Sequence, residues 1–492
     1  MANKKVVKTK KKNKGFKFEP WMAITGVYAI SAVVLLVLLL MAKLLPVSYL
    51  IAGIFGLIAI GLLVFALTRY KKKKVLFTIG TILAVLGLVV NCFGSFYLHR
   101  TVDTLRAMSG VDVERHSVTF YTLADNEAEN LADLQNGTFG ILTALDRENT
   151  DDALANVEKE DGFALATAEY DSLTAIADAL LNHEVDGIAM NEAYLGIYEE
   201  TEGYQEFPNQ IKVISTEIVE REVEQVSAAD KEVFTVLISG SDTRGQYLDV
   251  SGRSDVNILA VVNRETHQIL LVSTPRDYYV ELAIPGVTGA MDKLTHAGIY
   301  GMDCSMNTIG NLYGVTVDYY FRINFTGFVD IINALGGIEV NSETAFTSIN
   351  GYYFKQGINY LNGDQALAYA RERYAFAEGD RMRGKHQMDV IQAVMNKAMS
   401  PSILNSYSSI LQSVEGCIDM SIPYDLLAGI VNDQLANNVA WSIESMSADG
   451  TGTYSSTYSM GAQQLYVMIP DQTTVDAAKT RISEVMVVSS EQ

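Results

Sequence analysis

Three long apolar runs near the start of the chain constrain its fold more than any other feature. They cover residues 21–42, 44–68 and 75–98, and none contains a charged side chain. Each is long enough to cross the hydrocarbon core of a bilayer, about 30 Å thick, as a helix. A helix buried in a soluble core would need polar faces that these runs lack. The sequence therefore predicts three transmembrane helices and argues against a soluble cytosolic enzyme or a cleaved signal peptide.

Basic residues around these runs predict their orientation. Eight lysines lie within residues 4–17, and Arg69 with four lysines at 71–74 separates the second run from the third. The first connection carries only Lys43. By the positive-inside rule, the basic tail 1–20 and the second connection are cytoplasmic. Three crossings between 21 and 98 then place residues 99–492 outside the cell.

The outer part is strongly acidic. Residues 99–492 contain 23 basic and 57 acidic side chains, which makes a nucleic-acid partner unexpected. The lysine-rich tail fits a topology signal on a solvated arm better than a nucleic-acid or anionic-lipid site. Cys92 lies in the third run, and the spacing of Cys304 and Cys417 indicates neither a zinc site nor a disulfide framework.

The first outer region, 105–226, alternates strand-like runs with alanine-rich helical stretches. This pattern predicts an accessory α/β domain that serves as a spacer or binds a partner, because it contains no catalytic-looking cluster. The charged stretch 217–232 is expected to be a linker. Strands are predicted at 117–123, 139–145, 163–167 and 185–191, with a helix at 171–181.

The second outer region, 234–400, carries the remaining chemistry. Asn362 is placed to cap a helix that ends at Arg371, and Gly336-Gly337 ends the helix that begins at Phe325. Residues 401–492 are expected to form a C-terminal extension packed on this domain. Strands are predicted at 234–239, 256–262, 268–274, 319–324 and 464–469, and a further helix at 382–399.

Arginines concentrate in this second region. Nine of the fifteen arginines beyond residue 98 lie within 244–383. Guanidinium groups bind phosphate oxygens bidentately and stay charged when partly desolvated, so a converging set would suit a pyrophosphate. The alternative is a set of surface salt bridges with the many carboxylates. The candidate phosphate ligands are Arg253, Arg276, Arg371, Arg373 and Arg383, with Gln387 one helical turn after Arg383.

Two carboxylates stand at predicted strand ends beside these arginines. Asp242 follows the first strand, and Asp255 precedes the second. Magnesium takes one or two protein carboxylates together with substrate phosphate, so both are candidate metal ligands. The alternative is an aspartate that caps its own turn, which fits Asp242 better than Asp255. Asp255 is also the candidate general base.

A nucleotide site is not expected, although residues 379–385 (GDRMRGK) nearly match a Walker A loop. His386 stands where that loop needs Ser or Thr, and no clear strand precedes the stretch. The chain also lacks the short signatures of serine hydrolases, zinc proteases and CxxC redox enzymes. Covalent hydrolase chemistry therefore has no support.

A series of motifs, in order over roughly 234–400, resembles the LytR-CpsA-Psr (LCP) family. The three predicted membrane helices and the accessory α/β domain resemble its capsule-associated CpsA-like subgroup. The family usually ends its motif series with Arg-x-x-Arg-Gln, whereas here three residues separate Arg383 from Gln387, which leaves Arg381 and Arg383 as alternatives. The matching segments are 239–244 (SGSDTR), 252–255 (GRSD), 273–277 (STPRD), 293–297 (KLTHA), 325–337, 361–373 (LNGDQALAYARER) and Asp380 with Arg383 and Gln387.

The resemblance implies a phosphotransferase with an α/β/α sandwich fold and an apolar pocket for a lipid tail. Such enzymes move an anionic or capsular glycopolymer from an undecaprenyl-pyrophosphate carrier to peptidoglycan, at the plasma membrane of a Gram-positive bacterium. Capsule synthesis machinery is an expected partner. Asp255, Arg276 and Arg373 would be catalytic, and Asp242 and Asp255 would hold Mg²⁺. The pyrophosphate ligands would be Arg253, Arg276, Arg371, Arg373, Arg381, Arg383 and Gln387.

Two other functions remain open from the residues alone. One is a lipid-pyrophosphate hydrolase that uses water as the acceptor. The other is a membrane sensor that binds the lipid-linked polymer and regulates capsule synthesis through its basic tail. A hydrolase would release polymer whether or not peptidoglycan is present, and a sensor would depend on the lysines at 4–17.

Overall fold

The computed structural model describes residues 19–70, 73–108, 113–143, 145–199, 201–222, 231–241, 252–376, 379–398, 417–437 and 439–487. The chain separates into two compact units. One contains Met1–Asp103 and Val431–Asn437, and the other contains Thr104–Ile430 and Asn438–Gln492.

Three N-terminal helices confirm the predicted apolar spans. They are α1 (Pro20–Ala42), α2 (Val47–Arg69) and α3 (Lys74–Met108). Their most apolar windows have mean hydropathies of 2.6, 2.8 and 2.4, and each helix is long enough to cross a bilayer. Lys43 ends α1 in a left-handed conformation, and Pro46 precedes α2, so the first connection is short.

The first outer region forms a five-stranded α/β domain, as predicted. Its sheet has the order β3-β2-β4-β1-β5, with β2 parallel to β3 and β4, and β1 antiparallel to β4 and β5. The elements are β1 (Val113–Leu123), β2 (Thr138–Leu142), α4 (Arg147–Glu160), β3 (Ala166–Tyr170), α5 (Leu173–Leu181), β4 (Gly187–Asn191), α6 (Leu195–Glu199), α7 (Phe207–Gln210) and β5 (Ile211–Glu222), with 3₁₀ turns at Leu131–Leu134 and Glu192–Tyr194.

Three expectations for this domain were wrong in detail. Strand β2 ends at Leu142 instead of 145. The third strand begins at Ala166 instead of 163, because Phe163 and Leu165 pack against the core before the strand starts. The stretch 217–232 is not simply a linker, since its first six residues complete β5. This strand lies at the sheet edge, where charged side chains reach water, so its glutamates do not prevent pairing with β1. Residues 223–230 lie outside the described part.

The second outer region is built on a six-stranded mixed sheet with the order β16-β11-β6-β7-β8-β17. Its strands are β6 (Val233–Ser241), β7 (Ser254–Asn263), β8 (Gln268–Ser273), β11 (Tyr319–Asn324), β16 (Ile418–Met420) and β17 (Ser442–Ser447). Smaller two-stranded ribbons pair β9 (Tyr279–Glu281) with β10 (Met291–Lys293), β12 (Ile338–Ser342) with β15 (Gly357–Leu361), β13 (Phe346–Thr347) with β14 (Tyr353–Phe354), and β18 (Gly450–Ser456) with β19 (Gln464–Pro470).

Helices cover both faces of this sheet, which confirms the α/β/α sandwich. On one face, Leu237 packs in a core with Ile309 and Ile482, and on the other Ile258 packs with Met388 and Leu426. Successive side chains of a strand point to opposite faces of the sheet, so the central strands contribute buried residues to both cores. The helices are α8 (Met302–Tyr313), α9 (Phe325–Ala334), α10 (Gly363–Arg371), α11 (Asp380–Ala398), α12 (Tyr424–Asn437) and α13 (Gln472–Met486), with a 3₁₀ helix at Leu294–Tyr300.

Local capping signals in this domain are confirmed. The Asn362 side chain accepts a hydrogen bond from the Gln365 backbone, and the Gln365 side chain reciprocates, which forms a capping box at the start of α10. Asn324 caps α9 by accepting a hydrogen bond from the Gly327 amide, without a reciprocal side-chain bond. Both helices therefore begin where their polar caps stand in the sequence.

The central sheet continues beyond residue 400. Strand β17 pairs in parallel with β8, with Ser447 opposite Ser273. The strand reads Ser-Ile-Glu-Ser-Met-Ser, so it carries little of the apolar signal by which strands are predicted. The sheet that begins in the predicted domain 234–400 thus takes a strand from 401–492, the segment in which the sequence predicts a C-terminal extension.

Candidate functional site

A pocket lies at the ends of three neighbouring strands of the six-stranded sheet, where β8 and β17 end and β7 begins. Because β7 runs antiparallel to β8, its first residues lie beside the last residues of β8. The first turns of α11 close the opposite side. The pocket is lined by Asp255, Ser273, Thr274, Pro275, Arg276, Arg381, Arg383, Gly384, Gln387, Ser447 and Ala448. The structure thus brings together five of the predicted site residues, which lie far apart in the sequence.

Asp255 is the anionic centre of this pocket. Arg276 Nη1 donates a hydrogen bond to Asp255 Oδ1 at 2.9 Å, and both side chains are mostly buried. Burial opposes ionisation of Asp255, but the positive charges of Arg276, Arg253 and Arg383 outweigh it, so the pKa of this carboxyl is lowered. The pocket therefore holds a fixed carboxylate surrounded by guanidinium groups.

Helix α11 supplies the opposite wall. Arg383 and Gln387 lie one turn apart on it, and Arg383 is buried. Gly384 lets this helix approach the end of β8, because a Cβ at that position would lie 2.8 Å from Ser273 Oγ. The helix therefore presents Arg383 and Gln387 at close range to the strand ends.

Arg381 also lines the pocket, but it is engaged differently from Arg383. It forms an ion pair with Asp449. Burial opposes ionisation of Asp449, but the hydrogen bond and charge of Arg381 help to lower its pKa. The Arg381 side chain is 55% exposed. Between the two alternatives left by the sequence, Arg383 has the buried position near Asp255.

Arg371 and Arg373 are not among the residues that line this pocket. The guanidinium of Arg371 stacks over the ring of Phe325, with its Cζ 4.4 Å from the ring centroid. Arg373 Nη2 donates to the hydroxyl of Tyr374 at 2.8 Å. The residue between them, Glu372, is buried and accepts hydrogen bonds from backbone amides, including that of Ile349 at 2.6 Å. Their predicted role in binding phosphate remains a prediction.

The predicted metal ligands are only partly described. Asp242 lies outside the described residues, whereas Asp255 lies in the pocket. Among the residues that the structure describes, no cluster of three or more His, Cys, Asp or Glu side chains could hold a metal by itself. The single carboxylate of Asp255 would suit magnesium only together with oxygens of a bound substrate, so the magnesium site remains a prediction.

The chain matches the model of the LytR_cpsA_psr family over residues 203–482. The chain belongs to this family. It is 38% identical over 219 residues to the TagU polyisoprenyl-teichoic acid–peptidoglycan teichoic acid transferase of Enterococcus faecalis, which covers 44% of this chain and 71% of that protein. The Bacillus subtilis TagU is 35% identical over 230 residues, covering 46% and 72% respectively.

Among solved structures, the B. subtilis TagU crystal structure is similar to this chain at 30% identity. The match covers 53% of this chain and 100% of that one, with a TM-score of 0.41. The three N-terminal apolar helices, together with membership of the LytR-CpsA-Psr family, indicate a membrane-anchored protein.

Several pocket residues of this family member escaped the sequence reasoning. Ser447 is the last residue of β17, a strand whose polar composition gave no signal, and Ala448 follows it. Ser273 was assigned to a predicted strand and a family motif but to no site role. Thr274 was recognised within a family motif but without a role; its hydroxyl shares a hydrogen bond with the Tyr313 hydroxyl at 2.8 Å. Only the closeness of Ser447 to Ser273 in the sheet identifies the two as neighbours in one wall.

The Walker-like stretch is the start of a helix, which agrees with the sequence argument against a nucleotide site. Helix α11 begins at Asp380, directly after Gly379 in a left-handed conformation. His386 is buried and stacks on Phe346, with ring centroids 5.0 Å apart. Burial lowers the pKa of His386 to about 4. This imidazole is therefore a neutral part of an aromatic core.

His386 should make the protein less stable in acid. Its pKa in the folded protein lies below the usual 6.5, so stability falls as the pH drops from about 6.5 toward 4. The loss should be roughly 2 kcal/mol between pH 7 and pH 5. Thermal unfolding of the detergent-solubilised protein should show a smaller acid-induced loss for His386→Phe than for the wild type. Equal losses in the two proteins would contradict this assignment.

Proposed function

We propose that this protein transfers an anionic glycopolymer from a polyprenyl-pyrophosphate carrier to peptidoglycan. The observation that carries the proposal is the group of Arg276, Arg253 and Arg383 around Asp255, with Arg276 and Arg383 lining the pocket. Fixed guanidinium groups favour charge that develops on a departing phosphate, and such preorganised charge often accelerates a reaction more than any other single effect. The transferase names of the two TagU relatives support the same reaction class.

In this proposal the side chains of the pocket have different roles. Arg276 and Arg383 bind the pyrophosphate oxygens, with Gln387 donating from the same helix face as Arg383. The ionised Asp255 keeps Arg276 oriented through their 2.9 Å contact and is the candidate base for the acceptor hydroxyl. Asp255 would also hold Mg²⁺, which when bound would offset charge on the phosphates.

The direct test uses the full-length protein in detergent or liposomes. It would be incubated with polyprenyl-pyrophosphate-linked glycan and with or without peptidoglycan. We expect polymer to become covalently attached to peptidoglycan, with polyprenyl phosphate released. Free polymer released at the same rate without peptidoglycan would indicate a hydrolase. Binding of the lipid-linked glycan without any product would favour a sensor.

We further propose that the polymer is capsular and that the protein works with capsule synthesis machinery. The combination of three membrane helices with an accessory α/β domain supports this narrower proposal. Comparing capsular and teichoic-acid glycans on the same lipid carrier would test it. A higher kcat/KM for the teichoic-acid substrate would contradict the capsular assignment.

The proposed reaction requires residues 99–492 to face the outside of a Gram-positive cell. We expect the lysine-rich connection between α2 and α3 to be cytoplasmic. In a variant without native cysteines, a membrane-impermeant thiol reagent should label Asn350→Cys in intact cells but not Lys73→Cys; both native residues are exposed. Labelling of Lys73→Cys alone would invert the topology.

A further inference from the structure

The accessory α/β domain contacts Arg253, one of the three arginines whose charges act on Asp255, although Arg253 is not among the residues that line the pocket. Arg253 Nη1 donates a hydrogen bond to the backbone carbonyl of Gly196, on helix α6, at 3.0 Å. Arg253 stands two positions before Asp255 where β7 begins, a spacing that puts two side chains on the same face of a strand, and its charge acts on the Asp255 carboxylate. Arg253 therefore links the accessory domain to the anionic centre of the pocket.

Helix α6 is firmly held, so the Gly196 carbonyl has a fixed position. Ile197 and Tyr198 are fully buried in the core of the accessory domain. The hydroxyl of Tyr198 also donates to the Leu173 carbonyl at 2.6 Å. A carbonyl between such anchors is a preorganised acceptor for Arg253, because neither the helix nor its buried side chains must reorder to receive it.

A second connection holds the backbone that carries Arg253. Ile299, from the 3₁₀ helix Leu294–Tyr300, is buried in the same accessory core as Ile197. The preceding residue, Gly298, accepts a hydrogen bond from the Gly252 amide at 3.2 Å. A Cβ at Gly298 would lie 2.4 Å from the Gly252 carbonyl oxygen. The accessory core is thus also connected, through this 3₁₀ helix, to Gly252, the residue before Arg253.

The space beside Gly196 is filled by the guanidinium itself. A Cβ at this position would lie 2.7 Å from Arg253 Cζ and 2.9 Å from its Nε and Nη2. Any side chain at position 196 would therefore compete with the guanidinium group for the same volume. The position of Arg253 therefore favours glycine at position 196. The backbone conformation does not, because Gly196 has no positive φ angle.

From these contacts we infer that Gly196 is a positioning residue for the pyrophosphate site and acts through Arg253. The accessory domain is then a working part of the transferase, because its helix α6 aims one of the guanidinium groups around Asp255. The ligand class is the pyrophosphate head group of the lipid carrier. The inference rests on the proposed function for its consequence in transfer, but its geometry can be tested by binding alone.

Gly196→Ala is the sharpest variant because it disturbs Arg253 at little cost to the fold. The atoms that the new methyl group would meet are at the flexible end of a side chain, which can move aside. Alanine is also the better helix former. We therefore expect an unchanged or higher melting temperature, together with about tenfold weaker binding of farnesyl pyrophosphate, or about 1.4 kcal/mol.

The experiment is a double-mutant cycle on the detergent-solubilised full-length protein. Gly196→Ala, Arg253→Ala and the double variant would be compared with the wild type for farnesyl pyrophosphate affinity and for kcat and KM of transfer. The matched control is Glu199→Ala, an exposed residue on the same helix. We expect Gly196→Ala to raise KM more than it lowers kcat, the double variant to bind no worse than Arg253→Ala, and Glu199→Ala to match the wild type.

Additive losses in the double variant, or wild-type affinity in Gly196→Ala, would overturn the inference. An equal loss in Glu199→Ala would also overturn it, because the effect would then belong to the helix as a whole. If the wild type binds farnesyl pyrophosphate but transfers nothing, the proposed function fails, and the binding cycle still decides the role of Gly196. Absence of binding in the wild type would reject both.

Discussion

Replacing Arg276 by lysine is expected to reduce glycopolymer transfer by about 10²–10³-fold, although the positive charge is kept. Arg276 is 11% exposed, and it holds Asp255 at 2.9 Å with one nitrogen of its guanidinium. A planar guanidinium fork presents several nitrogens in fixed directions, and the Nε of Arg276 also lies 3.7 Å from Asp277 Oδ2, whereas an ammonium group acts as a single point charge. Lysine would therefore contact either the carboxylate or the substrate, with poor geometry for both.

Arg481→Lys is the matched control for this prediction. Arg481 also binds a carboxylate through its fork, donating to Glu444 from Nε and Nη2, but it does not line the pocket. Its replacement should leave transfer unchanged. Initial rates with lipid-pyrophosphate-linked glycan and peptidoglycan would be measured for both variants, with melting temperatures to confirm folding. Wild-type activity in Arg276→Lys would show that the fork geometry is unimportant.

Local signals in the sequence predicted most of the fold. The apolar runs at the start, the cap at Asn362 and the strand Tyr319–Asn324 each depend on residues close together in the chain, and all three are confirmed. Strand β17 escaped prediction because its pairing with β8 depends on residues more than 170 positions away. Propensity is weak for such a polar strand, and the sheet partner decides its conformation.

Some residues of the site were predicted correctly and others were not, again because the sequence carries mainly local information. Asp255 and Arg276 stand at the ends of neighbouring strands, and both were named from the sequence as candidate site residues. Arg373 was grouped with Arg371, which lies two positions before it, but such spacing indicates only that the two side chains share a face and not where in the fold they lie. The path of the backbone after α10 decides where Arg373 lies, and here its fork contacts Tyr374.

Nothing in the sequence predicted that the accessory domain contacts Arg253. The carbonyl of Gly196 contacts Arg253 across 57 residues of chain. A contact made by a backbone carbonyl cannot be predicted from a side chain. A glycine within a short helix indicates only a locally weaker helix and does not indicate a contact. Only the three-dimensional packing of α6 shows why this glycine stands there.

Asp255→Asn is expected to reduce transfer by about 10²-fold or more and to remove its dependence on magnesium. The substitution keeps the shape of the side chain but removes the charge that a divalent cation needs. Metal stabilisation of phosphate charge contributes several kcal/mol in comparable chemistry, and each 1.36 kcal/mol corresponds to tenfold in rate. Chelation of the wild type should therefore abolish transfer, and added magnesium should restore it.

The competing explanation gives Asp255 a purely orienting role. In the structure Asp255 forms an ion pair with Arg276, so the residue that it would orient is Arg276. If orientation is its only task, the asparagine oxygen can still accept a hydrogen bond from Arg276 Nη1. Asp255→Asn would then keep most of its rate, and chelation would leave the wild type unaffected.

The charges in the pocket favour the metal-dependent outcome. A lowered pKa keeps Asp255 ionised, and its negative charge repels a pyrophosphate that binds to the same arginines. Arg276 already donates to Oδ1 of this carboxylate, while a cation shared with the substrate would offset its charge from the open side of the pocket. Measuring the transfer rate of the wild type and Asp255→Asn across a magnesium titration separates the two explanations. A steep magnesium dependence in the wild type that is absent from the variant supports a metal held by Asp255, and parallel curves assign this carboxylate to orienting Arg276.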